Sequence, residues 1–563
     1  MKNFFLIATA WTFFFCCCLN VQAAGRETIY LQTDRTAYIA GEPVYFKMYV
    51  LDAATKKTSD LSKVAYVELR APRSNPSLKV RVKVDGGKAC GDMVLPDTLV
   101  SGVYQLVAFT SAMKNYGEQG FFYNEIVVVN RFDKKLDFKL LKPIQEDTVH
   151  RLSVDTLSWI RTDKQIYGTR EKVIVSLGQM NSNANIAVSV FEEPKVPSNG
   201  KSIVDFLNGV TITSEGRSVS SVFLPENRSK IIRGMVIDSI SRKKIQDATV
   251  LLSCPDSVPN LQYAQTDSRG LFQMLLGDYY DGKDLFFTIR NVPAGKTWKI
   301  EIQDNFILSE KWKPELFDGG QSKEYINKSQ DIVYINKSYD FQKGLIKEIQ
   351  PESRVFSPQL YHCPVTSVYP SDFVPLNDFA EIAVEILPRV KIVKREGHFH
   401  ARIVTSPEDL YGDNEPAIFL DGVYVDDIGK IIGMGSDRIK GIDVIENVRV
   451  FGDQFFYGVI SIFSKNEEVL SSVPASNSVR LKNDRTATCK DFTFVNPKSA
   501  DYEHYPFFRQ LLYWNPNIET VKGKPSSFEF YTSDNTAKFL IKAEGITEDG
   551  TPVSACSSIQ VQP

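Results

Sequence analysis

Residues 29–52 read IYLQTDRTAYIAGEPVYFKMYVLD, and residues 159–178 read WIRTDKQIYGTREKVIVSLG. In the first stretch Val44, Phe46, Met48 and Val50 alternate with Tyr45, Lys47 and Tyr49, the two-residue period of a half-buried strand. Thr33, Asp34, Tyr38, Glu42 and Val44 return as Thr162, Asp163, Tyr167, Glu171 and Val173, each 129 positions later. One offset shared by spaced polar and aromatic residues marks a duplication, so residues 24–133 and 134–225 are predicted to form two β-sandwiches of common ancestry. Alternation recurs at 64–69 and 103–109, with Asp85-Gly86-Gly87 and Pro96-Asp97 as turn formers between.

The rest of the chain sets the limits of this reading. Its 563 residues are 43% hydrophobic and 24% charged, the composition of an ordinary globular chain long enough for several domains. Lysine plus arginine (66) nearly balances aspartate plus glutamate (68), so no whole-chain basic field draws in phosphates, and nucleic acid is not an expected partner. Five histidines are little material for metal clusters.

At the N-terminus, Lys2 precedes an apolar run from Phe4 to Cys18, and Val21-Gln22-Ala23 places small residues where a signal peptidase reads, so residues 1–23 are predicted to be a cleaved export signal. Cys16, Cys17 and Cys18 offer lipid attachment as an alternative, against which Phe13, Phe14 and Phe15 stand where small residues are needed. No later segment has the ~20 apolar residues of a membrane span. Cys90, Cys254, Cys363, Cys489 and Cys556 remain, an odd and scattered set without zinc spacing. Cys489 and Cys556 fall in one predicted domain and are the candidate disulfide in an oxidising compartment; buried free thiols are the alternative.

The motif Gln32-Thr33-Asp34-Arg35 through Tyr38, Gly41-Glu42 and Val44 resembles the opening of a macroglobulin domain, the β-sandwich unit of the alpha-2-macroglobulin family. That resemblance implies a scaffold built around a bait region and a thioester. Tyr116-Gly117-Glu118-Gln119 is similar to the thioester sequence, but Tyr116 stands in the place of the cysteine, so no thioester is expected. Residues 226–306, with the turn Asp267-Ser268-Arg269-Gly270, resemble a carboxypeptidase regulatory-like sandwich, which carries no peptidase activity. Residues 307–370, in which YINKS occurs twice, read as an irregular linker that contributes at most an edge strand.

Residues 371–475 hold two apolar runs, 417–420 and 423–425, around Asp421-Gly422, the pair that suits a type I′ hairpin turn. A helix is predicted over 427–440, then a strand at 442–450 and a final strand led by Gly458. This order resembles the plug of TonB-dependent outer-membrane receptors. A receptor barrel takes about 22 strands, which residues 466–563 cannot supply, so the unit is expected to serve as a soluble α+β domain. Residues 476–563 alternate at period two again and are predicted to be a C-terminal β-sandwich. The predicted fold class is mainly β: tandem macroglobulin or immunoglobulin-like sandwiches plus one small α+β plug-like domain.

Chemistry is sparse. There is no G-x-S-x-G, H-E-x-x-H or calcium-loop spacing, and Ala294-Gly295-Lys296-Thr297 has Arg290 where a phosphate loop needs glycine. His398 and His400 share one strand face and are the weak metal candidates, with no third ligand in view. The residues that matter, Asp34, Tyr38, Asp163, Tyr167, Gly270, Asp421, Gly422 and Gly458, are structural; no catalytic residue and no cofactor are predicted. The expectation is a non-catalytic exported protein that binds or assembles at the outer membrane of a Gram-negative bacterium, in the periplasm or on the membrane surface. The plug resemblance implies a protein partner there, a TonB-dependent transporter. The alternatives are a macroglobulin-type peptidase inhibitor or peptide-binding protein, and a hydrolase whose site is dispersed in sequence.

Overall fold

The computed structural model describes residues 26–71, 76–130, 132–133, 159–194, 200–210, 223–293, 295–306, 323–339, 346–348, 359–364, 366–405, 415–466, 477–492, 495–499 and 502–563. The predicted export signal lies outside them. The fold is mainly β, in several sheets, and the chain divides into two units. The first holds the N-terminal 228 residues, residues 306–351 and residues 487–563.

Within this unit the repeated motif is a turn lock. Asp34 Oδ1 accepts the Tyr38 hydroxyl at 2.8 Å and the Tyr45 amide at 2.9 Å, and Tyr38 Oη accepts the Arg35 amide at 3.1 Å. Glu42 Oε2 accepts the Ile39 amide at 2.7 Å. Each bond recurs 129 positions later. Asp163 Oδ1 accepts Tyr167 at 2.7 Å and the Ile174 amide at 2.9 Å, Tyr167 Oη accepts the Lys164 amide at 2.9 Å, and Glu171 Oε2 accepts the Gly168 amide at 2.7 Å. The backbone donors in this bend lack strand partners, and the carboxylates satisfy them. That is why aspartate, tyrosine and glutamate hold their spacing.

The first sandwich faces a three-stranded sheet (Glu27–Thr33, Pro43–Asp52, Lys88–Val94) with a five-stranded one, in spatial order Ala37–Ile39, Phe122–Val129, Gly102–Thr110, Val64–Arg70, Pro76–Lys83. Phe46, Tyr66, Phe109 and Ile126 fill the space between.

The second sandwich corrects the predicted domains. Its three-stranded sheet is Ile160–Thr162, Lys172–Leu177 and Ser526–Tyr531, and its five-stranded sheet runs Ile166–Tyr167, Pro552–Val561, Lys538–Thr547, Ala184–Glu192, Leu511–Thr520. Residues 134–225 and 476–563 are therefore not two sandwiches: each supplies half of one. The strand order repeats the first sandwich, with the fourth strand, Ala184–Glu192, parted from the fifth, Leu511–Thr520, by everything between. Even the short parallel pairing recurs, Tyr38 beside Val128 in one copy and Tyr167 beside Val561 in the other. A buried hydrogen bond, Tyr30 Oη to Glu544 Oε2 at 2.7 Å, ties the two sandwiches together.

Part of the predicted linker is the helix Lys323–Ser338. Tyr325, Ile326, Ser329, Ile332 and Val333 are buried at the spacing of one helix face, and Tyr325, Ile326 and Val333 pack on Ala37, Ile39, Val127 and Val129. The YINKS repeat hid this helical period.

The second unit holds residues 229–305 and 352–486. One sandwich pairs Leu271–Leu276, Lys230–Asp238 and Trp298–Gln303 against Gln262–Gln265, Thr249–Ser253, Leu285–Ile289 and Ser478–Leu481. The last strand, Ser478–Leu481, falls within the predicted C-terminal sandwich but pairs here with Leu285–Thr288. Beside it lies a five-stranded sheet, Thr366–Val368, Ile439–Ile445, Val459–Ser464, Ala417–Leu420, Val423–Val425, with the helix Phe379–Glu385 and the hairpin Val390–Arg395/His398–Ile403. The linker contributes two strands, not one: Thr366–Val368 at the edge of this sheet, and Ile346–Glu348, which pairs with Lys490–Phe492 in the first unit. The hairpin turn forms as predicted, with Asp421 at φ 49° and Gly422 at φ 84°. The helix predicted over 427–440 does not form: only the 3-10 turn Ile428–Lys430 is present, capped by Asp427 Oδ1 on the Gly429 amide at 2.8 Å. Gly429, Gly433 and Gly435 lie in that segment, each costing about 1 kcal/mol in a helix interior.

Candidate functional site

Most residues singled out in the sequence support the fold. Gly270, at φ 72°, turns into the strand Leu271–Leu276. Gly458, at φ 98°, has no room for a β-carbon, which would meet the Ile445 carbonyl at 2.6 Å. Asp421 accepts the Ser464 amide and hydroxyl, each at 2.7 Å. The two locks differ electrostatically. Burial raises the Asp34 carboxyl above its ordinary range despite Arg35 and the Tyr38 hydroxyl, whereas at exposed Asp163 the bonds from Ile174 and Tyr167 outweigh desolvation and lower it.

His398 and His400 lie on the strand His398–Ile403. His400 Nδ1 sits 2.6 Å from Glu415 Oε1, which also accepts Arg402 Nη1 at 3.0 Å, and His398 is exposed. Among the described residues the acidic partner of His400 is shared with an arginine. Among the described residues no group of three histidines, cysteines or carboxylates is placed to hold a metal.

The predicted Cys489–Cys556 pair does not exist. Cys489 bonds Cys90, with α-carbons 4.8 Å apart, and Cys556 is a buried free thiol that burial pushes up to about 11. Pairing depends on which strands meet, and Cys90 sits on Lys88–Val94, the edge beside which the returning chain passes.

Two concavities bear on a site. A groove of about 500 Å³ in the second unit is lined by Asp256, Asp421 and Asp443. All three carboxylates are already engaged: Asp256 with Tyr279 and Lys283, Asp421 with Ser464, Asp443 with Tyr361 and Ser367. The other is a cleft of about 110 Å³ in the first unit, where the bend after the first lock, the helix Lys323–Ser338 and the segment around 507–514 meet. Sequence reasoning missed it because its walls come from segments hundreds of residues apart.

Arg35 and Arg509 both line this cleft. Arg35 is compensated, with Nε 3.0 Å from Asp34 and Nη1 3.2 Å from Glu42, and these carboxylates raise it in spite of burial. Arg509 is not. Its guanidinium stands 4.9 Å from the Phe507 ring, its Nη2 is buried without a hydrogen-bond partner, and burial lowers it to about 10, still protonated at neutral pH. Its backbone is held firmly: the amide donates to Ser533 Oγ at 3.3 Å, and the carbonyl accepts from Ser533 Oγ and Asn535 Nδ2. Asp534, nearby in sequence, is taken by Arg170 and by the Phe507 amide. A half-buried guanidinium with one buried nitrogen unpaired, seated on a well-bonded backbone beside an aromatic ring, suits the binding of an anion.

No protein-family model matches the chain, and no curated protein matches it. Among solved structures, trypsin-activated alpha-2-macroglobulin from Escherichia coli is similar at 9% identity and a TM-score of 0.25, over 96% of this chain and 42% of that one. Methylamine-reacted Salmonella alpha-2-macroglobulin follows at 8% identity and 0.16, over 95% of this chain and 24% of that one. Dimeric latent PorU from Porphyromonas gingivalis matches 49% of this chain at 10% identity and 0.16, over 34% of its own length. This chain thus spans less than half of each of these proteins, and TM-scores of this size assign it to none of them.

Proposed function

We propose that this chain is an exported, non-catalytic binding protein of the bacterial envelope, in which paired β-sandwiches hold a rigid anion-receptive cleft. The observation that carries the reading is the uncompensated Arg509 guanidinium in the wall of that cleft. The described lining carries no serine, cysteine or histidine that would serve as a nucleophile or imidazole base beside it, and a positioned cation with aromatic walls favours holding over bond-making. The Cys90–Cys489 bridge supports export, since such bonds persist in oxidising compartments. The resemblance of residues 371–475 to a receptor plug favours the outer membrane as the place of work and a TonB-dependent transporter as the partner.

Affinity capture of the tagged full chain from envelope fractions of its own bacterium tests this. Recovery with an outer-membrane transporter is the expected outcome, and a free chain confined to the cytoplasm would sink the reading. A macroglobulin-type peptide-binding protein is the second reading, favoured by the duplicated lock; slowed cleavage or a stable complex across a protease panel would raise it above the first.

A further inference from the structure

We infer that the cleft takes the carboxylate of a single apolar residue, with Arg509 as the anion contact. This rests on the binding-protein reading above and names the ligand class of the same site.

Three observations lead there. First, the cleft has one cation to spare. Arg35 is committed to Asp34 and Glu42, and Glu42 also takes the Ile39 amide, so neither Glu42 nor Asp534 is available to Arg509. One unpaired guanidinium matches a singly charged group, and its planar fork fits a carboxylate through two parallel N–H bonds. A doubly charged phosphate would leave a charge unmet. Second, part of the lining is apolar: Val495, Phe507, Leu512, Trp514 and Tyr531 share the space with the polar Arg35, Glu42 and Gln510. At about 110 Å³ it is far below the roughly 300 Å³ of a site for a drug-sized molecule, so it admits one side chain and not a folded peptide. Third, Asn336 on the helix Lys323–Ser338 lines the cleft and, among the described residues, makes no side-chain hydrogen bond, so it can partner the amide next to a carboxylate.

The apo protein bears the cost of this arrangement. A guanidinium nitrogen buried without a partner carries a desolvation cost that an apolar side chain of similar length avoids.

The ligand chemistry, an acylamino-acid carboxylate, occurs both at the free C-terminus of a peptide and in an N-acylated amino acid. Titration calorimetry on the full chain with N-acetyl-L-leucine, N-acetyl-L-leucinamide, inorganic phosphate, and a hexapeptide ending in leucine with either a free or an amidated terminus separates these cases. The expected result is saturable binding of N-acetyl-L-leucine, weaker by roughly tenfold or more for the amide and for Arg509→Met. Arg509→Lys, which keeps the charge and loses the fork, should fall between. Thermal melting of ligand-free Arg509→Met should occur at or above the wild-type temperature. Binding of the free hexapeptide with affinity similar to N-acetyl-L-leucine identifies a chain terminus as the source; binding of N-acetyl-L-leucine alone identifies the acylamino acid. Equal binding of acid and amide overturns the inference. Arg509-dependent binding of phosphate instead overturns the ligand class and leaves the binding-protein reading standing. Absence of binding by any probe overturns the inference whatever the melting of the variants; with a lowered melting temperature for both Arg509 variants the arginine is structural and the binding-protein reading falls with it.

Discussion

Replacing Cys90 and Cys489 together by serine tests how the first unit is held closed. The bridge joins positions 399 apart in sequence, so it encloses the first four strands of the interrupted second sandwich and the whole second unit. In the chain-entropy description, removing a cross-link over a loop of that length returns about 20 cal/mol/K to the unfolded chain, about 6 kcal/mol at 25 °C. Measured bridges more often give 2–4 kcal/mol, because unfolded chains keep residual structure. A loss of ~2–6 kcal/mol is therefore expected, confined to the first unit. Hydrogen exchange across a urea series reads the two units separately: the protection midpoint of Lys88–Val94 should fall, while that of Thr249–Ser253 in the second unit stays where it was. A shift in the first unit worth less than about 1 kcal/mol, or an equal shift in both, would refute the reasoning.

The two turn locks should respond unequally to loss of their hydroxyls. Tyr38→Phe leaves buried Asp34 short of a donor and should cost ~1–3 kcal/mol, whereas Tyr167→Phe, acting at exposed Asp163, should cost ~1 kcal/mol or less; paired urea melts check the order. Their pH responses should oppose one another. Asp163 has its folded value below the unfolded one, so its contribution is present above about pH 4 and is lost as pH falls through the folded value; Asp34 has its folded value raised, so its contribution is present below the unfolded value and is lost as pH rises through the folded one. Carboxyl carbon NMR titration of the two residues would show the split, and identical midpoints would contradict it. Under native conditions a thiol reagent should label exposed Cys363 quickly, while Cys254 and Cys556, each pushed up to about 11 by burial, stay unlabelled; peptide mapping reads the sites.

Local chemistry was legible in the sequence and long-range pairing was not. Asp34, Tyr38 and their copies announced a duplicated bend because each lock closes within 11 residues of its aspartate, and Asp421-Gly422 announced its hairpin because the turn depends only on its own φ angles. The partners of Ala184–Glu192 lie at Leu511–Thr520 and Lys538–Thr547, a separation that no pattern within a strand encodes. The same distance hid the Cys90–Cys489 bond and scattered the walls of the Arg509 cleft over three segments. The helix predicted over 427–440 is absent for a different reason: the cost of Gly429, Gly433 and Gly435 in a helix interior outweighs the apolar spacing of the segment.

The interruption of the second sandwich also bears on how the molecule is made. A ribosome adding about 5–20 residues per second delivers Ala184–Glu192 tens of seconds before its neighbours exist. During that interval both margins of an apolar ribbon stand bare, ready to pair with any passing chain. Passage to another compartment as an unfolded thread, guarded until the final residues arrive, would spare the nascent protein that hazard.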